Sequence, residues 1–148
     1  DKVTSLNVRV IQFSERYPTA NGIQIQRAGS IYDGWLNILE REGTAKETKI
    51  SNTEDSKAVY GVFMAWDDDD DTYLNDYYVA QTGDYIIRVG AATTITRGDL
   101  LESAGDGTAK PQSDDIVRSK TVAKITSTTS TATYADGSKA YPCVLMAC

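Results

Sequence analysis

Five consecutive aspartates, Asp67 to Asp71, are the strongest local charge feature of the sequence. Carboxylate oxygens on a loop can hold calcium, but the run lacks the alternating spacing, central glycine and closing glutamate of a helix–loop–helix calcium site. We therefore interpret it first as a solvated loop after a buried strand, where charge discourages edge pairing. A weak calcium site is the alternative, with candidate ligands Asp67, Asp69, Asp71, Asn75 and Asp76.

Aromatic residues cluster around this acid run. Trp66 precedes it, and Tyr73, Tyr77 and Tyr78 follow it. Aromatic faces beside carboxylates can stack on sugar rings, which makes a glycan platform one interpretation. Tyrosine and tryptophan are also enriched at subunit interfaces, where one end of the side chain is dry and the other is wet. We favour the interface and keep the glycan platform as the alternative.

The sequence contains no histidine. This excludes serine–histidine and cysteine–histidine nucleophile pairs. Serine and lysine are neighbours at Ser56-Lys57, Ser119-Lys120 and Ser138-Lys139, but adjacent residues on a strand point to opposite faces and do not form a ready dyad. We therefore expect a protein that is not an enzyme, with no catalytic residue and no cofactor.

The two cysteines, Cys143 and Cys148, lie five residues apart. On one extended strand their side chains would point to opposite faces, so a disulfide would need a turn between them. Two cysteines without histidine also fall short of a common zinc site. We expect two reduced thiols in a chain that folds in a cytoplasm.

Several glycine-containing stretches indicate turns. Arg97-Gly98-Asp99 matches the tripeptide of cell-adhesion ligands, but so short a match arises often by chance. Glycine adopts turn conformations without steric cost, and aspartate can bond to nearby backbone groups. We predict turns at Arg97-Gly98-Asp99, Asp106-Gly107 and Asp136-Gly137.

Short strands must position these residues, because turn signals recur about every ten residues. The run from Ala58 to Trp66 is the most apolar, and it suits a strand that is buried on both faces. We predict an all-β fold, an antiparallel β-sandwich or barrel-like domain with short hairpins and few or no helices. Strands are predicted over 3–13, 22–26, 58–66, 77–80, 84–89, 100–103, 108–110, 117–126 and 140–146, a loop over 40–49, and a strand or exposed hairpin arm over 126–133.

The chain has 148 residues, of which 41% are apolar. This suffices for one ordinary domain or two small ones. We divide it into 1–50, an N-terminal β-segment, arm or small subdomain, and 51–148, the main β-domain. Because Asp1 is not an initiator residue, we expect a fragment or a processed product.

The net charge of −6 disfavours two classes of partner. Nucleic-acid binders normally carry positive charge over their contact face. An acidic surface repels anionic lipid headgroups, and no apolar run approaches the roughly 18 residues that span a bilayer. We therefore expect neither nucleic acid nor membrane as a partner.

Short motifs follow one another in a characteristic order from Ser56 to Cys148. They stand here at Gly61-Val62, Gly83 to Val89, Arg97 to Leu101, Gly107 to Ala109 and Val122 to Lys124. In this order they resemble the β-rich C-terminal domain of tailed-phage virion structural proteins, including cyanophage structural proteins and tail-fibre or appendage proteins. In the first 50 residues only GIQIQ and DGWLNI look similar.

The resemblance implies a non-enzymatic viral structural protein. It would be a β-domain of a phage tail fibre, spike or other appendage, assembled in the host cytoplasm and located in the virion. Its partners would be itself, as a homotrimer, other virion proteins, and a host surface glycan. The alternatives are a capsid decoration protein with 1–13 as an arm, a carbohydrate-binding fibre tip, and a self-cleaving intramolecular chaperone domain whose catalytic residue is not matched here.

Overall fold

The computed structural model describes residues 8–12, 19–20, 23–24, 36–41, 48–66 and 76–147. Side chains are described for 36–40, 50–64 and 78–147. Within these ranges no α-helix forms, which confirms the all-β prediction. No helix in these ranges is long and apolar enough to cross a membrane.

Thirteen strands lie in these ranges. They are β1 (Val8–Gln12), β2 (Thr19–Ala20), β3 (Ile23–Gln24), β4 (Ile38–Arg41), β5 (Thr48–Ile50), β6 (Val59–Trp66), β7 (Asp76–Ala80), β8 (Thr82–Val89), β9 (Leu100–Ser103), β10 (Ala109–Pro111), β11 (Ala123–Ile125), β12 (Ala132–Thr133) and β13 (Lys139–Met146).

Five of the C-terminal strands close into a barrel. Their hydrogen-bonded order is β11-β9-β10-β8-β13, and β11 also pairs with β13, so the sheet closes on itself. All of these pairings are antiparallel except that of β10 with β8. β13 pairs with more strands than any other member of the barrel, because it pairs with β8 along its whole length and with β12 and β11 on its other edge. Closure removes the free edges that an open sheet would expose.

The other main sheet is antiparallel and has the order β1-β7-β6-β4-β5. β7 leads into β8 of the barrel with only Gln81 between them. β6 lies in the centre of the sheet, and its consecutive residues Val62 and Phe63 are both buried. The prediction that this strand is buried on both faces is therefore confirmed at its centre.

Residues from both sheets pack in one hydrophobic core. Aliphatic side chains dominate it, as in other small barrels whose interior is filled by side chains. The buried members are Leu36, Ile38, Val62, Ala80, Ile87, Val89, Leu101, Ala109, Val122, Ala123, Ile125, Tyr134, Ala140, Cys143 and Leu145.

A buried arginine connects the barrel to the residue that precedes β4. Arg88, on β8, is fully buried and donates hydrogen bonds to Asn37 Oδ1 at 2.6 Å and to Ser138 Oγ at 3.0 Å. It also forms an ion pair with Asp136 at 3.2 Å, and its guanidinium lies 5.8 Å from the Tyr134 ring centre. Buried charges are tolerated when they are paired and hydrogen-bonded in this way.

The predicted Asp106-Gly107 turn lies against Asn37, the residue that Arg88 connects to the barrel. Asp106 Oδ1 accepts hydrogen bonds from the Thr108 backbone and side chain, and the Gly107 carbonyl accepts one from Ile38 N at 2.9 Å. Gly107 has φ of 90°, and a Cβ there would overlap Asn37 Oδ1. Both the backbone conformation and the close approach therefore require glycine.

The strand predictions hold for most of the described chain, with three corrections. Residues 112–122 form a loop, so the strand predicted over 117–126 shrinks to β11. Residues 126–131 are not a strand, and only β12 remains of that prediction. The loop predicted over 40–49 is wrong at both ends, because Glu40 and Arg41 belong to β4 and pair with Lys49 and Thr48 of β5. The division at residue 50 stays a prediction.

Candidate functional site

The loop between β10 and β11, residues 112–122, is held by one buried glutamine. Gln112 Nε2 donates to the Ile116 carbonyl at 2.7 Å and to Asp114 Oδ1 at 2.9 Å. Gln112 Oε1 accepts a hydrogen bond from Thr121 Oγ1 at 2.7 Å. A single side chain therefore ties the middle of the loop to its C-terminal end.

An ion pair and a turn complete the bracing. Arg118 Nε donates to Asp114 Oδ2 at 2.8 Å, and this hydrogen bond is the main reason why the pKa of Asp114 is lowered. Arg118 N donates to Thr121 Oγ1 and Thr121 N donates to the Arg118 carbonyl, both at 2.9 Å. The loop is thus preorganised, which lowers the entropy lost when its surface is bound.

The braced loop presents two aliphatic side chains to solvent. Ile116 is 56% exposed and Val117 is 61% exposed, and they are the exposed large hydrophobic residues of the described part of the chain. Single exposed apolar residues are common on protein surfaces. Two neighbours on a loop held by hydrogen bonds form a small apolar patch of the kind that interfaces use.

An open pocket of about 570 Å³ lies beside this patch, and we call it the basic pocket. Three cations and one carboxylate line it together with two further residues: Asp55, Lys57, Val117, Arg118, Ser119 and Lys120. Asp55 has φ of 60°, and its backbone N donates to the Ser103 carbonyl at 3.0 Å. This contact holds the segment with Asp55 and Lys57 against the end of β9.

A group of ion-paired side chains lies next to the basic pocket, and we call it the wall: Glu54, Asp55, Glu102, Lys110 and Lys120. Glu102 on β9 is buried and pairs with Lys120 at 2.7 Å and with Lys110 at 3.6 Å. Lys110 also pairs with Glu54 and lies 3.5 Å from Asp55. The wall is therefore a chain of alternating charges that fixes Lys120 in position.

The pKa values of this wall move in opposite directions. Burial raises the pKa of Glu102, and a hydrogen bond with Asp55 raises it further. The same hydrogen bond is the first cause of the lowered pKa of Asp55. Hydrogen bonding to Glu102 raises the pKa of Lys120. Lys120 therefore remains cationic beside the carboxyl of Glu102.

The serine–lysine neighbours have separate roles. Ser56 is buried and its Oγ accepts a hydrogen bond from Ala58 N at 3.1 Å, while Ser138 Oγ donates to Asp136 at 2.6 Å. Ser119 lines the basic pocket, and its neighbour Lys120 pairs with Glu102. None of these contacts joins a serine to its neighbouring lysine.

The residues predicted around the acid run fall largely outside the described part. Asp67, Asp69, Asp71, Tyr73 and Asn75 lie outside it.

Three more of the predicted residues have described backbones only. Asp76 and Tyr77 begin β7, and Trp66 ends β6. Tyr78 is half-buried and lies opposite Val10 and Ala65 in the sheet. Among the described side chains, no group of three or more acidic, cysteine or histidine residues could hold a metal ion.

The cysteine and adhesion-motif predictions can be checked directly. Cys143 is a free, buried thiol, as predicted, while Cys148 lies outside the described part. Arg97-Gly98-Asp99 forms the predicted turn, in which Asp99 Oδ2 accepts a hydrogen bond from Thr96 N at 2.8 Å and Asp99 N donates to the Thr96 carbonyl at 3.0 Å.

The basic pocket and its loop were not found from the sequence. The signal was present in Asp114 to Arg118, where two aliphatic residues stand between acids and a base. Their β-branched character led to a strand prediction instead, since such residues are typical of strands.

Comparison with known proteins adds no family. No protein-family model matches the sequence, and no curated protein matches it.

Proposed function

We propose that this chain is a non-catalytic assembly domain of a tailed-phage virion, in a tail fibre, spike or other appendage, that works as a homotrimer. The observation that carries an assembly role is the braced loop that presents Ile116 and Val117 beside the basic pocket. The virion location rests on the resemblance of the chain from Ser56 onwards. The closed barrel supplies a rigid base from which this loop projects.

The physical reason is that apolar side chains on a preorganised loop can be buried with little loss of conformational entropy. Fully burying a Val or Ile side chain is worth about 1.5–3 kcal/mol, and roughly half of each is still exposed here. Because the loop is already ordered, little of that gain is lost to ordering. Their joint burial would then contribute about 1.5–3 kcal/mol, roughly ten- to a hundredfold in affinity.

The test measures the molar mass of the protein across micromolar concentrations by light scattering. We expect an oligomer, and weaker association in the double variant Ile116→Ser and Val117→Ser. The matched control is the double variant Thr128→Ser and Thr129→Ser, because both residues are exposed on the separate loop between β11 and β12. A stable wild-type monomer throughout would refute the assembly role.

Immunogold labelling of intact virions tests the location. Label on fibres or the tail tip is expected, and label over the head would favour the capsid decoration alternative. Absence of label from an expressed chain would favour a chaperone that is discarded during assembly.

A further inference from the structure

We infer that Glu102 is a proton-operated switch between two neighbours: its charged carboxylate holds the braced loop through Lys120, and its neutral carboxyl holds the segment before β6 through Asp55. We call this segment, residues 51–58, the strap. The effect on assembly rests on the proposed function, because the braced loop presents the surface that is assigned to assembly there. The switch itself is a property of one chain and is tested without association.

Glu102 lies between the loop and the strap. It is buried on β9, and its carboxylate is 2.7 Å from Lys120 Nζ. Lys110 Nζ on β10 is 3.6 Å from the carboxylate of Glu102 and 3.5 Å from that of Asp55. One lysine therefore bridges the two carboxyl groups, which also share a hydrogen bond with each other.

Backbone contacts fix the strap to the barrel. Asp55 N donates to the Ser103 carbonyl at 3.0 Å, and Glu54 forms a β-bridge with Ala104. Ser51 Oγ lies 2.8 Å from Ser103 Oγ in the interior. These contacts hold the carboxyl of Asp55 beside that of Glu102.

A proton decides whether these two carboxyl groups attract or repel each other. An ionised carboxylate only accepts hydrogen bonds, whereas a protonated carboxyl also donates one. When Glu102 carries the proton, its O–H donates to the carboxylate of Asp55. When Glu102 is charged, the two carboxylates repel each other, and the ion pair with Lys120 is the favourable contact.

Charged groups from every element around Glu102 enter this balance. Within the described part of the chain, these groups are Glu54 and Asp55 from the strap, Lys110 from β10 and Lys120 from the loop. Burial is the largest cause of the raised pKa of Glu102, the hydrogen bond with Asp55 comes second, and Lys120 acts in the opposite direction. Glu102 therefore changes its charge at a higher pH than an exposed glutamate does.

Loss of the charge on Glu102 loosens the braced loop. Lys120 directly precedes Thr121, whose hydroxyl donates to Gln112 and whose backbone N donates to the Arg118 carbonyl. The ion pair with Glu102 therefore anchors the end of the loop at which these hydrogen bonds meet. As the pH falls through the pKa of Glu102, this anchor is lost, and the apolar patch is presented by a less ordered loop.

Carboxyl-carbon NMR titrations of the full chain test the balance around Glu102. Asp55→Asn should lower the pKa of Glu102 by about one pH unit, because an amide that can donate a hydrogen bond replaces a negative neighbour. Asparagine also tolerates a positive φ, so the strap keeps its conformation. Lys120→Met should raise the pKa of Glu102 by a similar amount, because the charged form loses its cation. Shifts in the same direction, or no shift in either variant, would overturn the switch.

Hydrogen exchange measures the consequence for the loop. Glu102→Gln keeps the size of the side chain and fixes the neutral form, so it can be compared with the wild type at one neutral pH. We expect the amide of Thr121 to exchange about three- to tenfold faster, while the amide of Asp55 keeps its protection. Glu54→Gln is the matched control, because it removes the same charge from an exposed position and should leave exchange at Thr121 unchanged. Equal rates at Thr121 in the wild type and Glu102→Gln, or lost protection at Asp55, would contradict the inference.

Light scattering links the switch to assembly. At the same pH, Glu102→Gln should associate more weakly than Glu54→Gln, since both variants lose one negative charge but only the first loosens the loop. Equal association of the two variants, with a wild type that associates, would overturn the regulation of assembly while the assembly role stands. A wild type that is monomeric at every concentration would overturn the assembly role, and the titration and exchange results would still decide the switch.

Discussion

Replacing Arg88 by methionine should destabilise the fold more than any surface substitution. Arg88 is fully buried and donates to Asn37, Ser138 and Asp136. Methionine fills much of the same space but leaves these acceptors without their donor. Removing one partner from a buried charged network typically costs about 3–5 kcal/mol.

The contacts of Arg88 support the same magnitude. Hydrogen bonds to a charged group contribute about 1.5–3 kcal/mol each. The acceptors on Asn37 and Ser138 are buried, so both count nearly in full. Asp136 is 43% exposed and can turn to water, so we discount its share. We therefore expect the free energy of unfolding to fall by about 3–5 kcal/mol.

Urea denaturation followed by far-UV circular dichroism measures this loss. Arg118→Met is the matched control, because its ion pair with Asp114 is exposed and should be worth less than about 0.5 kcal/mol. A double-mutant cycle with Asn37→Ala should show a coupling energy of about 1–3 kcal/mol. A loss below about 1 kcal/mol for Arg88→Met would refute the view that this network joins the two sheets.

Three further predictions follow from single residues. Gly107→Ala should lower the free energy of unfolding by at least about 2 kcal/mol in urea denaturation, because backbone strain and overlap with Asn37 add. Gly98→Ala, at a φ of 95° with open space around it, should lower it by only about 1 kcal/mol. Equal losses in the two variants would contradict this reasoning. Burial raises the pKa of Cys143 to about 12, so its thiol should react with a disulfide reagent at pH 8 only as fast as the protein unfolds, and rapid labelling of folded protein would be inconsistent with that. Although burial acts to raise it, the pKa of Asp136 is lowered by hydrogen bonds from Ser138 and by the charge of Arg88. Its contribution to stability is therefore present above pH 3.8 and lost as the pH falls through the lower folded pKa, and Asp136→Asn should flatten that loss in acid titrations of stability.

The sequence predicts the strands well where the signal is local. The run at β6 is apolar and β-branched, and it forms a strand whose central residues are buried on both faces. The turn at Asp106-Gly107 also forms as predicted, because a glycine with positive φ and an aspartate that caps the next backbone N–H act within three residues.

The candidate site could not be predicted in the same way. The loop of residues 112–122 depends on hydrogen bonds from the Gln112 side chain, which take the place of the backbone hydrogen bonds of a strand. The β-branched residues of this stretch therefore do not form a strand. In the sequence, Arg88 is one basic residue within an apolar strand. No neighbouring residue indicates which groups accept its hydrogen bonds. They come from positions 37, 136 and 138.

By itself the sequence determined the all-β class, most of the strands and the tight turns. These properties depend on side-chain type and on spacings of two to four residues, which the chain carries everywhere. Only the tertiary structure decided that β11 pairs with β13 to close a barrel, that β10 runs parallel to β8, and that Lys57 lies beside the loop after β10. Such contacts join residues far apart in the chain, and their selection depends on how the whole core packs.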